Sequence, residues 1–162
     1  MSIQIFTDGS ARGNPGPGGW GTVISTEENV MELGGREDHT TNNRMELMAA
    51  IRALDYVKES GMGKEKIEVN SDSKYVITGI TEWIFGWRQK GWRTAAKKDV
   101  LNRDLWEMLG VAVSGLQIEW KYVAGHMGHN GNERCDEIAT KMADKEDPNL
   151  YSGSKSKYPI KL

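Results

Sequence analysis

Cysteine is nearly absent from this 162-residue chain: Cys135 is the only one. An internal disulfide is therefore excluded, and a reducing compartment is the matching environment. There is no apolar run near the ~20 residues that a bilayer span requires. The opening stretch Met1-Ser2-Ile3-Gln4-Ile5-Phe6 is too short and too soon polar for a secretory signal. A soluble, cytoplasmic protein is the expectation. Nor is there a charge excess: 21 basic against 23 acidic side chains leave a formal net charge of -2. Bulk electrostatics makes no case for a nucleic-acid partner, so any such case must be local. What the chain does have is 38% hydrophobic and 27% charged residues, a globular balance at a length that suits one domain with a real core.

Ile3 and Ile5 alternate with Gln4 up to Thr7-Asp8-Gly9, which reads as a first strand. Dense turn chemistry at Gly13-Asn14-Pro15-Gly16-Pro17-Gly18-Gly19 leads to strands over Trp20–Ile24 and Val30–Leu33. Gly16, Gly18 and Gly21 satisfy G-x-G-x-x-G, but a strand rather than a helix follows, so this is a hairpin connection and no dinucleotide site. Leu47, Ala50, Ile51, Leu54 and Val57 recur at helical spacing, predicting a helix over 43–60 that stops at Gly61. A short strand through Ile67 and Val69 ends at Asp72, and short helices follow over 73–89. Leu101, Leu105, Met108, Leu109 and Ala112 mark another helix. Leu116, Ile118, Trp120 and Tyr122 alternate with polar residues as a clear strand. A loop at 125–131 precedes a last helix, capped by Asn132 and running to about Ala143. The order β-β-β-α-β-α-α-α-β-α implies an α/β (mixed α+β) domain over 1–145, a mixed sheet flanked by helices. Residues 146–162 lack periodicity and read as a C-terminal tail.

Four carboxylates occupy unusual neighbourhoods: Asp8, Glu46, Asp72 and Asp136. Each has a local explanation. Asp8 suits an Asx-turn, and Glu46 follows Asn43 at capping-box spacing. Asp72 could cap a helix, and Asp136 suits a helix first turn. Three of them nevertheless fall at strand ends or helix starts, where sheets flanked by helices place their sites. If they meet, like charges ~4 Å apart repel by about 4 kcal/mol per pair at an effective dielectric near 20. Such a cluster raises its pKa values or binds cations, and hard divalent ions suit oxygen ligands.

Between Trp87 and Lys98 stand Arg88, Lys90, Arg93, Lys97 and Lys98 without an acid, interleaved with Trp92 and close to Trp83. In a mildly acidic chain this is a local phosphate-binding signal, although the tryptophans also suit a core. His126 and His129 stand at a spacing that zinc could use, but no third ligand of the right type lies near.

The stretches Thr7-Asp8-Gly9-Ser10, Gly13–Gly19, Thr40-Thr41-Asn42-Asn43-Arg44-Met45-Glu46-Leu47, Ser71-Asp72-Ser73, Gly125-His126-Met127-Gly128-His129 and Asn132-Glu133-Arg134-Cys135-Asp136 together resemble the bacterial ribonuclease HI family over residues 3–144. The resemblance implies a five-stranded mixed sheet of the ribonuclease H-like fold. It implies an endoribonuclease that cleaves the RNA strand of RNA–DNA hybrids, leaving 3′-hydroxyl and 5′-phosphate ends. Asp8, Glu46, Asp72 and Asp136 would be its catalytic and metal-binding acids, with two Mg²⁺ ions (or Mn²⁺) and with Asp8 at the middle. His126 would help activate water or release product. Asn14, Asn42 and Asn43 would line the hybrid's minor groove, where a 2′-hydroxyl distinguishes RNA. Thr41 and Asn102 would hold a DNA phosphate. Trp83, Arg88, Lys90, Trp92, Lys97 and Lys98 fall in the family's basic protrusion, which grips the DNA strand. The chain departs from the common pattern at Ala11, Lys74 and Gln89, the last standing where a lysine is expected in the phosphate pocket. The partner implied is a hybrid duplex, with no membrane and a monomeric protein. A non-catalytic hybrid-binding module and a DNA-cutting resolvase or transposase core are the competing readings.

Overall fold

The computed structural model describes residues 2–124 and 130–162. β1 (Ser2–Ala11), β2 (Gly16–Ser25) and β3 (Asn29–Thr40) form an antiparallel meander. α1 (Asn42–Glu59) returns the chain to β4 (Lys66–Ser71), which pairs parallel with β1. α2 (Lys74–Thr78), a π-helical turn Gly79–Trp83, α3 (Ile84–Gln89) and α4 (Arg103–Val113) lead to β5 (Gln117–Tyr122), parallel to β4. α5 (Asn130–Ala143) and β6 (Ser152–Ser154) complete a sheet of order β5-β4-β1-β2-β3-β6.

The mixed sheet with flanking helices is as expected, but it has six strands where five were predicted. The extra strand pairs Ser152, Gly153 and Ser154 with Met31, Val30 and Asn29. Three small residues held by backbone hydrogen bonds carry no apolar alternation, so nothing in their pattern announces a strand. The short helices over 74–89 run end to end through the π turn, where Gly79 lies bare against Trp106; a Cβ there would come 1.9 Å from the indole. The last helix starts at Asn130, so Asn132 is no cap but a buried residue of its first turn.

Alternation sorts the sheet residues into two cores. Ile3, Ile5, Ile67 and Val69 face Leu47, Ala50, Ile51, Leu54 and Val57 of α1. Each such aliphatic side chain stabilises the fold by about 1.5–3 kcal/mol when fully buried. On the opposite face Phe6, Val23 and Val30 pack with Cys135 of α5. β2 begins at Gly16, inside the stretch that sequence pattern assigns to a turn. Its glycines have a packing reason: a Cβ at Gly19 would lie 2.2 Å from the Ala139 carbonyl oxygen, and one at Gly21 2.7 Å from that of Cys135. α5 therefore rests on the bare backbone of β2. Among the described residues no helix is long and apolar enough to cross a membrane.

Candidate active site

The parallel register between β1 and β4 ends at Thr7 opposite Ser71. Asp8 does not end its strand as expected, since β1 runs on to Ala11 against β2. One step beyond that last parallel pair, the chain places Asp8 beside Asp72, where the parallel pairing ends. This is also where the sheet changes direction, since β2 on the other side of β1 is antiparallel. Open α/β sheets bind ligands at such a point. α1 packs against the same strand and brings Glu46 down onto it. Gly9 makes the approach feasible, because a Cβ there would sit 2.3 Å from the Glu46 nitrogen.

Carboxylate oxygens of Asp8, Glu46 and Asp72 all lie within 4.8 Å of one another. Asp136 stands outside this set, half-buried on α5, yet near enough that its charge acts on Asp8. Asp8 and Glu46 are buried, and Asp72 is half-buried. Burial, together with the charges of Asp72 and Asp136, pushes the Asp8 pKa up to about 7, against the lowering effect of its hydrogen bond to Glu46. Burial also holds Glu46 well above the ordinary carboxyl range, reinforced by its hydrogen bond to Asp8 and by the charges of Asp8 and Asp72. The two carboxyls act on each other, so their titrations are linked. Among the described residues no lysine or arginine pairs with Asp8, Glu46 or Asp72. The Gly9 N–H donates to Asp8 Oδ1 at 2.9 Å and also to the Glu46 carboxylate.

The local explanations offered for Glu46 and Asp72 do not hold. Thr41 is the N-cap of α1, its hydroxyl accepting from the Arg44 N–H at 3.3 Å, so Glu46 lies beyond capping-box range. Ser73, not Asp72, caps α2, accepting from the Val76 N–H at 3.1 Å. Both acids are thus free of helix duties. Sequence reasoning treats Gly9 as a turn residue and overlooks its N–H, which braces two carboxylates; its place directly after Asp8 is the one signal for it.

Around the acids, Asn42 Oδ1 accepts from the Ala11 N–H at 2.6 Å, tying the start of α1 to the end of β1. Asn14 is exposed in the β1–β2 turn, and Asn43 is exposed beside Asn42. Asn102 holds a left-handed backbone with φ of 60°. Its Oδ1 accepts from Arg44 at 3.3 Å and its Nδ2 donates to the Tyr75 hydroxyl at 3.1 Å. Arg44 also makes a two-pronged ion pair with Asp104 at 2.8–2.9 Å, which fixes α4 to α1 beside Thr41. That pairing lies 60 residues apart in sequence, and no local motif marks it.

Trp83, Trp87, Trp92 and Trp106 stack in sequence around Tyr75, with ring centroids 5.2–6.2 Å apart. Trp106 is fully buried, whereas Trp83 keeps 41% of its surface exposed. Arg88, Lys90, Lys97 and Lys98 are exposed on this aromatic base. Arg93 is not available in the same way, since it donates to the Lys97 carbonyl oxygen at 3.2 Å and pairs with Asp99 at 3.9 Å. His126, and the His126/His129 spacing considered for zinc, lie outside the described residues. Cys135 is buried, its thiol donating to the Phe6 carbonyl oxygen at 3.1 Å.

A family model described as RNase H matches residues 1–144. The chain is 52% identical over 141 residues to a ribonuclease H of Novosphingobium aromaticivorans, covering 87% of this chain and 96% of that protein. It is 47% identical over 144 residues to a ribonuclease HI of Pseudomonas syringae pv. tomato, covering 89% and 93%. Among solved structures it is similar to LC9-RNase H1, a type 1 RNase H with the type 2 active-site motif. The TM-score there is 0.80 at 28% identity, over 94% of this chain and 77% of that one. It is also similar to LC11-RNase H1 in complex with an RNA/DNA hybrid, with TM-score 0.68 at 28% identity over 88% and 97% of the two chains.

Proposed function

This chain belongs to the RNase H family, and we propose that it is an endonuclease that hydrolyses the RNA strand of RNA–DNA hybrids, leaving 3′-hydroxyl and 5′-phosphate ends. The observation that carries the reading is the convergence of Asp8, Glu46 and Asp72 within 4.8 Å where the parallel pairing of β1 and β4 ends. The donor set fits a divalent cation. It is all carboxylate oxygen, it is unpaired with any cation among the described residues, and burial with mutual repulsion raises the pKa values of Asp8 and Glu46. Mg²⁺, with Mn²⁺ as an alternative, suits these donors; Asp8, Glu46 and Asp72 would hold one ion, and Asp136 would help hold a second. The chemistry such ions supply is acidification of the attacking water and neutralisation of the departing 3′-oxygen.

The chain's own residues do the rest. Asp8, central in the cluster and braced by the Gly9 N–H, would hold the metal together with Glu46 and Asp72. Asn14, Asn42 and Asn43 present donors and acceptors to the minor groove, where the 2′-hydroxyl is read. Thr41 and Asn102, held together through Arg44, receive a phosphate of the DNA strand. Trp83, Arg88, Lys90, Trp92, Lys97 and Lys98 grip that strand further along, charges outward on an aromatic base. His126 handles a proton near neutral pH, in activating water or releasing product. Residues 1–145 are the catalytic unit and 146–162 an appended segment. A cytoplasmic monomer is the matching setting, given one free thiol that is buried.

The test is one assay with end-labelled RNA–DNA hybrid, single-stranded RNA and duplex DNA, each with Mg²⁺ or EDTA. Cleavage of the hybrid's RNA strand only, abolished by EDTA, is the expected result. Cutting of duplex DNA would point to a DNA nuclease of the same fold. Hybrid binding with no product under any ion would leave a binding module.

A further inference from the structure

The contact between α5 and the sheet is smooth. Gly19, Gly21 and Gly34 face Ala139, Cys135, Ile138 and Met142 with no side chain of their own. Bare backbone at these positions allows a close approach but offers no side chains there to interlock with the helix. Phe6, Val23 and Val30 pack with Cys135 beside them, and Arg12 and Arg36 hold the far end of α5 through Asp144 and the Ala143 carbonyl oxygen. The N-terminal half, which carries Asp136, needs a polar anchor of its own.

The structure supplies one anchor of the right kind in the helix's N-terminal half. Arg134, two residues before Asp136, points to the other side of α5, since residues two apart on a helix face nearly opposite ways. There it meets the buried Glu32 of β3, with Nε and Nη2 each 2.8 Å from a carboxylate oxygen. Residues 147–162 close the arrangement. Arg134 Nη2 also donates to the carbonyl oxygens of Pro148 and Asn149, at 2.8 and 3.2 Å. Glu32 accepts in addition from the Tyr151 N–H at 2.8 Å and the Tyr158 hydroxyl at 2.5 Å. The rings of Tyr151 and Tyr158 stack with centroids 4.9 Å apart. At the start of α5, Asn130 Nδ2 donates to the Lys161 carbonyl oxygen at 2.9 Å. The segment thus grips β3 by strand pairing and α5 by hydrogen bonds, and its junction is a planar, two-pronged Arg–carboxylate pair that tolerates little displacement.

We propose that the Glu32–Arg134–Tyr158 network, closed by the C-terminal segment, is a pin that fixes α5 along the glycine-floored sheet and so places Asp136 against the Asp8–Glu46–Asp72 cluster. Glu32, Arg134 and Tyr158 are then positioning residues, and the C-terminal segment is part of the hydrolytic apparatus although it lies outside the matched family region. The proposal rests on the hydrolytic reading for Asp136's role. A misplacement on the order of 1 Å is enough to cost roughly 100-fold in rate.

The test uses full-length Tyr158→Phe and Arg134→Lys, with wild type beside them, at a temperature where all are folded by circular dichroism. Tyr158→Phe removes one hydroxyl and keeps the ring, so it stands in if Arg134→Lys does not fold. Two readouts are taken: calorimetric titration of the substrate-free protein with Mn²⁺, and kcat and KM on a hybrid. The expected result is Mn²⁺ affinity weakened about threefold or more and kcat lowered about tenfold, with KM for hybrid held within about twofold. A lower melting temperature with Mn²⁺ affinity and kcat both within about twofold of wild type would overturn the pin and leave the network a stabilising one only. If wild type binds Mn²⁺ but cuts no hybrid, while the variants bind the ion more weakly, the pin stands and the hydrolytic reading falls.

Discussion

Two glutamates in this molecule are almost equally buried and behave in opposite ways. Glu32 is 2% exposed and Glu46 8%. Burial pushes Glu32 up as well, but the Arg134 hydrogen bonds, the Tyr158 hydroxyl and the Tyr151 N–H outweigh it and hold its pKa below the ordinary carboxyl value. Burial pushes Glu46 up, and its neighbours Asp8 and Asp72 push it further. One acid is surrounded by donors and is finished. The other is surrounded by acids and is incomplete until a cation arrives. Burial alone does not mark a site; burial that the protein leaves uncompensated does.

The sharpest way to break this contrast is to remove charge from each side. Asp8→Asn takes away the central ligand, so hybrid cleavage should fall by about 10³-fold or more while hybrid binding, measured by gel shift in EDTA, survives. Full activity would remove Asp8 from the mechanism. Arg134→Ala should instead attack the fold: it strands Glu32 as a buried, unpaired charge and should cost about 3–5 kcal/mol in denaturant unfolding. A loss below about 1 kcal/mol would mean that the Glu32 environment is wetter than its contacts indicate.

The two acids also predict opposite responses to pH. The folded-state pKa of Asp8 is pushed up to about 7, above the ordinary aspartate value, so the folded state binds the extra proton between the two. Ion-free protein should lose stability as pH rises through that window, and Asp8→Asn should recover about 1–3 kcal/mol at pH 8. Glu32 has the reverse sign: its contribution is present above the ordinary glutamate pKa and is lost as pH falls through the depressed one. Melting curves of wild type and Asp8→Asn from pH 2 to 8 would show both. Smallest is the effect expected from the basic strip, whose charges are exposed. Replacing Lys97 and Lys98 together by alanine should raise KM for hybrid about 3–10-fold, leave kcat within about twofold, and flatten the salt dependence by about one to two phosphate contacts. An unchanged KM would take the strip out of substrate binding.

The same contrast explains what was legible in the sequence. Glu46 stands in a short motif, and Asp8 and Asp72 follow the plain Ile3/Ile5 and Ile67/Val69 alternation, so one parallel register brings them together. α1 and β5 were legible for the same reason, since apolar periodicity is a local property. Glu32 and Arg134 are 102 residues apart; Arg134 falls in the Asn132–Asp136 stretch but Glu32 in no motif, and a two-pronged ion pair of that kind leaves no periodic trace. β6 rests on backbone pairing by Ser-Gly-Ser, again invisible to side-chain pattern. The glycines of β2 look like a turn because glycine permits turns; their use as a floor for α5 requires knowing where α5 lies. Asp136 is the intermediate case: its motif is local, but its distance from the cluster depends on how α5 is held.

The most direct test of the uncompensated cluster is proton release on ion binding. Mg²⁺ is titrated calorimetrically into the ion-free protein at pH 6, in two buffers of different ionisation enthalpy. Protons held on Asp8 and Glu46 by burial and mutual repulsion should leave as the ion enters, giving release on the order of one to two protons per site, and less wherever Asp8→Asn still binds the ion. Ion binding with no proton release at that pH would mean that the carboxylates are already fully charged and compensated, and would contradict the account.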